Sequence, residues 1–245
     1  MVDGDELGGL AGAFIVLDGV DGSGKTTVQR LVADEFTRAG HSVTTCKDPG
    51  GTEIGNRIRS VLLDHDLTNM SLACETLLFM ASRAQLVAEV IEPALANGHV
   101  VLCDRYVSST CAYQGAVGAD THRIIELANY ATGGEWPDLT VVIDVPVEMG
   151  FQRIGRRANG NKPGAPDANT EGTLDAMERR PTSFHQRVRQ NFLGLREFYP
   201  ARVVVIDGTL PPEQVAQAVL RELAGLRVSN RQASGGRERA PAPRT

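Results

Sequence analysis

The apolar run Ala13 to Leu17 is followed directly by Gly19-Val20-Asp21-Gly22-Ser23-Gly24-Lys25-Thr26, which fits the phosphate-loop pattern G-x-x-x-x-G-K-[ST]. Thr27, Val28, Leu31 and Val32 continue at helical spacing, so strand, loop and helix occur in the order that the motif requires. The glycines let successive backbone N–H groups turn inward around phosphate oxygens, and the helix dipole favours an anion at the same place. Lys25 adds a charge at the β and γ phosphates, and the Thr26 hydroxyl can hold Mg²⁺. A Gly-rich turn matching by chance would not have a strand on one side and a helix on the other. The segment Gly19 to Thr27 therefore points to a nucleoside triphosphate such as ATP, and to an α/β fold around it.

The rest of the chain carries the same rhythm. Short apolar runs recur at Phe14 to Leu17, Val43 to Cys46, Val100 to Cys103, Leu139 to Ile143 and Val203 to Ile206, with longer helix-period segments between them. Strands alternating with helices require crossover connections, so the expectation is a mostly parallel five-stranded sheet with helices on both faces. With 42% hydrophobic residues, a chain of 245 has ample material for one such core. Residues 1–12 are Gly- and acid-rich and residues 227–245 are polar and Arg-bearing, so both are read as disordered extensions of a domain at 13–226. Ala158 to Thr173, rich in Gly, Asn, Pro and Asp, reads as a mobile loop.

Bulk properties exclude other classes. The net charge of −5 argues against a surface that coats nucleic acid. No apolar run is long enough to span a bilayer, and the N-terminus lacks a basic start before an apolar stretch, which places the protein in the cytoplasm. Cys46, Cys74, Cys103 and Cys111 lack paired metal-ligand spacing and are read as reduced thiols.

Four further clusters carry chemistry. Asp104-Arg105-Tyr106 follows the third apolar run, which puts a carboxylate near Mg²⁺ and a guanidinium near a phosphate at the carboxyl edge of the sheet. Taken alone, the pair is equally an ordinary strand-end salt bridge. Lys47-Asp48-Pro49-Gly50-Gly51-Thr52 with Arg59 is a second phosphate candidate, or a turn and a surface arginine. Phe79 and Arg83 share a helix face within Leu72 to Val90 and suit a base by stacking and hydrogen bonding, although Phe79 alone reads more often as core. Ser108 to Gly115 is a small-residue stretch with Tyr113 and Gln114 that can line a nucleoside pocket.

Together, GVDGSGKTT at Gly19 to Thr27, DPGGT at Asp48 to Thr52, Ile58-Arg59, LLFMASR at Leu77 to Arg83 and DRYVSSTCAYQG at Asp104 to Gly115 resemble the thymidylate kinase family. The resemblance runs from Phe14 to Leu226. It implies a P-loop kinase fold with a mobile lid at about 153–180, ATP-dependent phosphorylation of dTMP to dTDP for dTTP synthesis, Mg²⁺ and a homodimer. Asp21 would contact the 3′-hydroxyl of dTMP and help order Mg²⁺ with Thr26 and Asp104. Arg59 and Arg105 would hold the acceptor phosphate, Phe79 would stack on thymine, and Arg83 would bond its O4. Pro49, Ser109, Thr110 and Gln114 would complete the pocket, and Tyr113 would crowd a ribose 2′-hydroxyl. The Asp48-Pro49 bond would be cis.

Two departures from the family pattern matter. Lys47-Asp48-Pro49 stands where bacterial members usually carry Arg-Glu-Pro, and the lid is longer than usual. Some members also carry an arginine inside the phosphate loop, where this chain has Gly22. The cation at the transferring phosphate is therefore sought in the lid, first at Arg153 and Arg157, which share a face, then at Arg156, Arg179 and Arg180, with Glu178 assisting Mg²⁺ and the acceptor. Phosphoryl transfer needs positioning and charge neutralisation rather than a general base, and none of the five histidines stands inside a matched motif. The competing readings are a kinase for another pyrimidine nucleotide or a deoxynucleoside, and a nucleotide-binding switch without turnover.

Overall fold

A computed structural model describes residues 7–64, 67, 69–158, 177, 180–226 and 228, with the backbone alone at 156–158. Five strands, β1 (Phe14–Asp18), β2 (Val43–Lys47), β3 (Val100–Asp104), β4 (Leu139–Asp144) and β5 (Val203–Asp207), form one sheet in the order β2-β3-β1-β4-β5. All four pairings are parallel. β1 is fully buried, and period-2 alternation sends its residues to two different cores. Phe14 and Val16 join Val101, Cys103 and Val142 on one face, whereas Ile15 and Leu17 join Leu102, Val141 and Ile143 on the other.

Helices cover both faces, as the crossovers demand. On the second face lie α1 (Lys25–Arg38) and α9 (Pro212–Ala224), which bury Val28, Val32, Phe36, Val219 and Leu223. Helices α3 (Leu72–Leu86), α5 (Val107–Tyr113), α6 (Thr121–Thr132) and α8 (Thr182–Gly194) contribute Leu86, Val107, Ile124, Val188 and Phe192 to the first. Helix α2 (Glu53–Leu63) packs on α3 and starts at Thr52, whose hydroxyl accepts from the Gly55 N–H at 2.9 Å. The helix expected over Leu72 to Val90 runs further, through a π-helical turn at Val87–Ile91 into α4 (Glu92–Ala96). After β4, α7 (Val147–Ala158) leads toward the lid.

Three expectations need comment. Each strand extends one residue beyond its apolar run and ends on a charge: Asp18, Lys47, Asp104, Asp144 and Asp207. The N-terminal extension is corrected at its end, because Leu7 and Leu10 are buried against the β1–α1 core and the Gly12 N–H donates to the Gly98 carbonyl at 3.1 Å. Two leucines spaced by a glycine turn suffice to anchor that segment. Ala158 to Thr173 lies outside the described residues except for the Ala158 backbone, as do residues 229–245.

Candidate active site

The carboxyl ends of β1 and β3 lie side by side, with Leu17 in register with Asp104. The phosphate loop leaves β1 there, and the Arg105 turn leaves β3, so the loop and Asp104-Arg105 share one crevice, the usual ligand position in an open parallel sheet. A cavity of 210 Å³ opens at this point. Its wall includes Asp21, Gly22, Gly24, Lys25 and Thr26 of the loop, Asp104 and Arg105, and also Pro49, Arg59, Phe79, Arg83, Ser109, Thr110, Tyr113 and Gln114. All the described residues assigned to the acceptor nucleotide therefore line the cavity that the phosphate loop lines.

Within the loop, Lys25 Nζ donates to the carbonyls of Gly19 at 3.1 Å and Val20 at 3.0 Å, and the Ser23 N–H donates to the Val20 carbonyl at 3.2 Å. Lys25 is 7% exposed. Burial and the neighbouring Arg105 push its ammonium down to about 8, against the attraction of Asp21, Asp104 and Asp18. Thr26 and Thr27 open α1 beyond it. Gly22 has a φ of +76°, and a Cβ there would overlap the Gly150 carbonyl on α7, so the loop crest sits directly against the lid-bearing helix.

Arg105 is held in the left-handed backbone region, with a φ of +75°, which a residue with a side chain adopts only where its surroundings fix it. Its guanidinium donates to Asp18 Oδ1 at 3.2 Å, the Gly19 carbonyl at 3.2 Å, Ser109 Oγ at 2.9 Å and Asp21 Oδ1 at 2.5 Å. The second Asp21 oxygen accepts from the Tyr113 hydroxyl at 2.7 Å. Burial alone would raise the Asp21 carboxyl, but Arg105, Lys25, the Tyr113 hydroxyl and His185 hold it at about 2. An anionic Asp21 thus joins the phosphate loop to α5.

Across the cavity, Arg83 is 1% exposed and donates through Nε to Asp48 Oδ2 at 2.6 Å and through Nη2 to Thr110 Oγ1 at 3.0 Å and the Tyr106 carbonyl at 3.2 Å. Among the described residues Nη1 meets only a thioether, Met80 Sδ, at 3.0 Å, a weak acceptor that a ligand oxygen would outcompete. Asp48-Pro49 is cis, and Arg59 donates to the Pro49 carbonyl at 2.8 Å.

Thr26 and Asp104 are the described residues that could hold a divalent ion. The Thr26 hydroxyl donates to Asp104 Oδ2 at 2.7 Å, and Asp104 Oδ1 is buried with no hydrogen-bond partner among the described residues. Hard oxygen donors, one of them unsatisfied, suit Mg²⁺. Both Asp21 oxygens are already engaged by Arg105 and Tyr113. Glu178 and Arg179 lie outside the described residues, as do the side chains of Arg156 and Arg157. Arg153 is described: its guanidinium lies on the loop from α7, donating to the carbonyls of Ser23 at 3.3 Å, Gly22 at 3.5 Å and Gly208 at 3.0 Å.

Three participants escape a reading of motifs. Asp18 is fully buried and accepts from Gly19 N, Arg105, Ser108 and Ser109, which makes it the anchor of the Arg105 turn. An acid closing an apolar strand just before the loop was the available signal. Glu75 on α3 is buried and accepts from Gln114 and Arg180. His185, also buried, packs its ring between Phe151 and Phe184.

Comparison with known proteins agrees with this geometry. The thymidylate kinase family model matches residues 17–219. Curated thymidylate kinases align over most of their length: that of Desulfovibrio desulfuricans is 41% identical over 82% of this chain and 90% of its own, and that of Deinococcus radiodurans 42% identical over 83% and 92%. The Thermomicrobium roseum thymidylate kinase is 44% identical over 84% of this chain and 91% of its own. The chain belongs to the thymidylate kinase family.

Proposed function

We propose that this thymidylate kinase family member transfers the γ-phosphoryl group of ATP to dTMP, forming dTDP and ADP. The observation that carries the reading is the single cavity whose wall joins Lys25 and Thr26 of the phosphate loop to Phe79, Arg83 and Gln114. Donor and acceptor nucleotides would meet across it, which turns a two-molecule encounter into a positioned reaction.

Each group has a task that its surroundings explain. The loop N–H groups and Lys25 bind the donor phosphates, while Arg105, pinned by Asp18 and Asp21, and Arg59 orient the acceptor phosphate. An oxygen of that phosphate, nucleophilic without a general base, forms the new P–O bond as the γ-phosphorus parts from its bridging oxygen, and ADP keeps the electron pair. Thr26 and Asp104 would hold Mg²⁺, which when bound neutralises charge on the donor phosphates. Asp21 meets the deoxyribose 3′-hydroxyl, the Tyr113 ring excludes a 2′-hydroxyl, Phe79 stacks on thymine, and Arg83 Nη1 reaches O4. Arg153 supplies positive charge at the loop crest from α7.

We place the reaction in the cytoplasm and in a homodimer. Among the described residues no helix is long and apolar enough to cross a membrane. Ala73, Leu77 and Ala81, four apart on α3, and Ile54 on α2 are exposed apolar residues that would suit a second copy. Sedimentation velocity tests the dimer.

ADP release measured over dTMP, dUMP, UMP, dCMP and AMP tests the activity. Preference for dTMP is the expected result. Preference for a purine acceptor would overturn it, and nucleotide binding without ADP release would favour a switch.

A further inference from the structure

We propose that Glu75 is a positioning residue for base selection: it fixes which end of the Gln114 amide faces the acceptor base. The inference rests on the reading of Gln114 as a base contact. Gln114 lines the cavity, and Glu75 does not. Gln114 Nε2 donates to Glu75 Oε1 at 2.8 Å, and the two side chains are 1% and 6% exposed by residue. Arg180 donates through Nη2 to both Glu75 oxygens, at 3.2 and 3.0 Å, and stacks its guanidinium 4.8 Å from the Phe184 ring centre.

The chemistry follows from what each group can do. A primary amide offers a donor end and an acceptor end of nearly the same shape, so shape alone does not orient it. An ionised carboxylate only accepts. Glu75, held by Arg180, therefore takes the NH₂ end, and the carbonyl Oε1 is left for the cavity. Arg83, whose Nη1 meets a weak thioether acceptor, lines the same cavity. The wall then presents an acceptor and a donor, which complements a base with N3–H beside a C4 carbonyl, as in thymine or uracil. Cytosine presents an N3 acceptor beside an exocyclic amine and leaves both wall groups unpaired, and unpaired buried groups are what makes such a site reject an analogue.

The test compares kcat/KM for dTMP, dUMP and dCMP in wild type, Glu75→Gln and Arg180→Ala. Glutamine at 75 offers either a donor or an acceptor, so Gln114 can turn its amide over. The dTMP to dCMP ratio is expected to fall by about tenfold or more in Glu75→Gln, while the dTMP to dUMP ratio holds, because both of those bases carry N3–H. Arg180→Ala leaves the carboxylate in place and should leave both ratios near wild type. A folded Glu75→Gln with an unmoved dTMP to dCMP ratio overturns the inference. So does Arg180→Ala that reproduces the Glu75→Gln effect, since Glu75 would then act by anchoring the chain around Arg180. Should Glu75→Gln fail to fold, the wild-type side-chain amide protons of Gln114 decide by NMR. They should remain protected when dTMP binds, and their transfer onto the ligand overturns the proposal. A wild type without preference for N3–H bases overturns the proposed function as well, whereas a preference that survives Glu75→Gln overturns this inference alone.

Discussion

The Tyr113 hydroxyl lies 2.7 Å from Asp21 Oδ2, ninety-two positions away in the chain, and this bond ties α5 to the phosphate loop. Tyr113→Phe removes the bond and keeps the ring. It should lower kcat/KM for dTMP by about tenfold, the scale of one hydrogen bond to a charged group, without changing the preference for deoxyribose over ribose. Tyr113→Ala should narrow that preference, chiefly by admitting the ribonucleotide. Because Tyr113 is 7% exposed and packs edge-on against Phe184 and Phe192, the same change should cost about 3 kcal/mol of stability. Kinetics with both sugars beside denaturant melts separate the two effects. Equal ribose discrimination in Phe and Ala variants would remove Tyr113 from sugar selection.

Lys25 makes binding of ATP depend on pH. Its ammonium sits at about 8 in the free protein, and donor phosphates favour the charged form and raise it. At about pH 8.5 most free enzyme therefore holds Lys25 neutral, and ATP binding must take up a proton; affinity falls as pH rises through 8 and beyond. For folding, the sign is set by the lowered value. The unfolded chain binds the Lys25 proton more tightly, so between 8 and 10.5 this group's contribution makes the protein more stable as pH rises. Calorimetry in buffers of different ionisation enthalpy measures the uptake. Lys25→Met should abolish it and cut turnover by about a hundredfold or more. Zero uptake in wild type would place the Lys25 titration elsewhere.

How much of this was open to a sequence reader depends on the distance between partners. The phosphate loop and the five strands follow from local pattern, because apolar period and glycine spacing are properties of neighbours, whereas the cavity residues were assigned through the resemblance of their motifs to the thymidylate kinase family. The strand ends did not follow from pattern, since a run of apolar residues stops being visible at its first charge. Those last residues, Asp18 and Asp104 among them, are the ones that face the ligand edge of the sheet. Asp18 is satisfied by Arg105, Ser108 and Ser109, and Glu75 by Gln114 and Arg180. A buried carboxylate is intelligible only with its donors, and the side-chain donors of these two lie from 39 to 105 positions away. Leu7 and Leu10 were lost among glycines and acids for the same reason: their partners on α1 and β1 are not in their own segment.

Gly22 leaves no room for a side chain at the crest of the phosphate loop. Its φ of +76° is strained for any side chain, and the space a Cβ needs is filled by the Gly150 backbone. Gly22→Ala should lower stability by about 2 kcal/mol or more and weaken ATP binding. Gly22→Arg should lose ATP binding rather than gain rate, even in a variant lacking Arg153. Thermal unfolding with nucleotide titration reads both outcomes. A Gly22→Arg enzyme with normal ATP affinity and faster turnover would mean that the loop and α7 separate easily.

Among the described residues, Arg153 brings positive charge from α7 onto the loop crest. It donates to the Gly22, Ser23 and Gly208 carbonyls, so among the described residues it is bound to backbone rather than to an acid that would cancel its charge. An uncancelled guanidinium within reach of the transferring phosphate stabilises charge that spreads during transfer, and such a contact counts most in the transition state. Arg153→Ala should lower kcat by about tenfold or more, with smaller changes in the KM for dTMP. Arg153→Lys separates charge from geometry: a lysine keeps the charge but cannot span three carbonyls, so partial recovery of kcat would assign the larger share to charge. Unchanged thermal stability and ATP affinity in both variants would show that loop shape survives. If Arg153→Ala instead retains kcat while ATP affinity falls, Arg153 holds the loop and the catalytic cation comes from another residue.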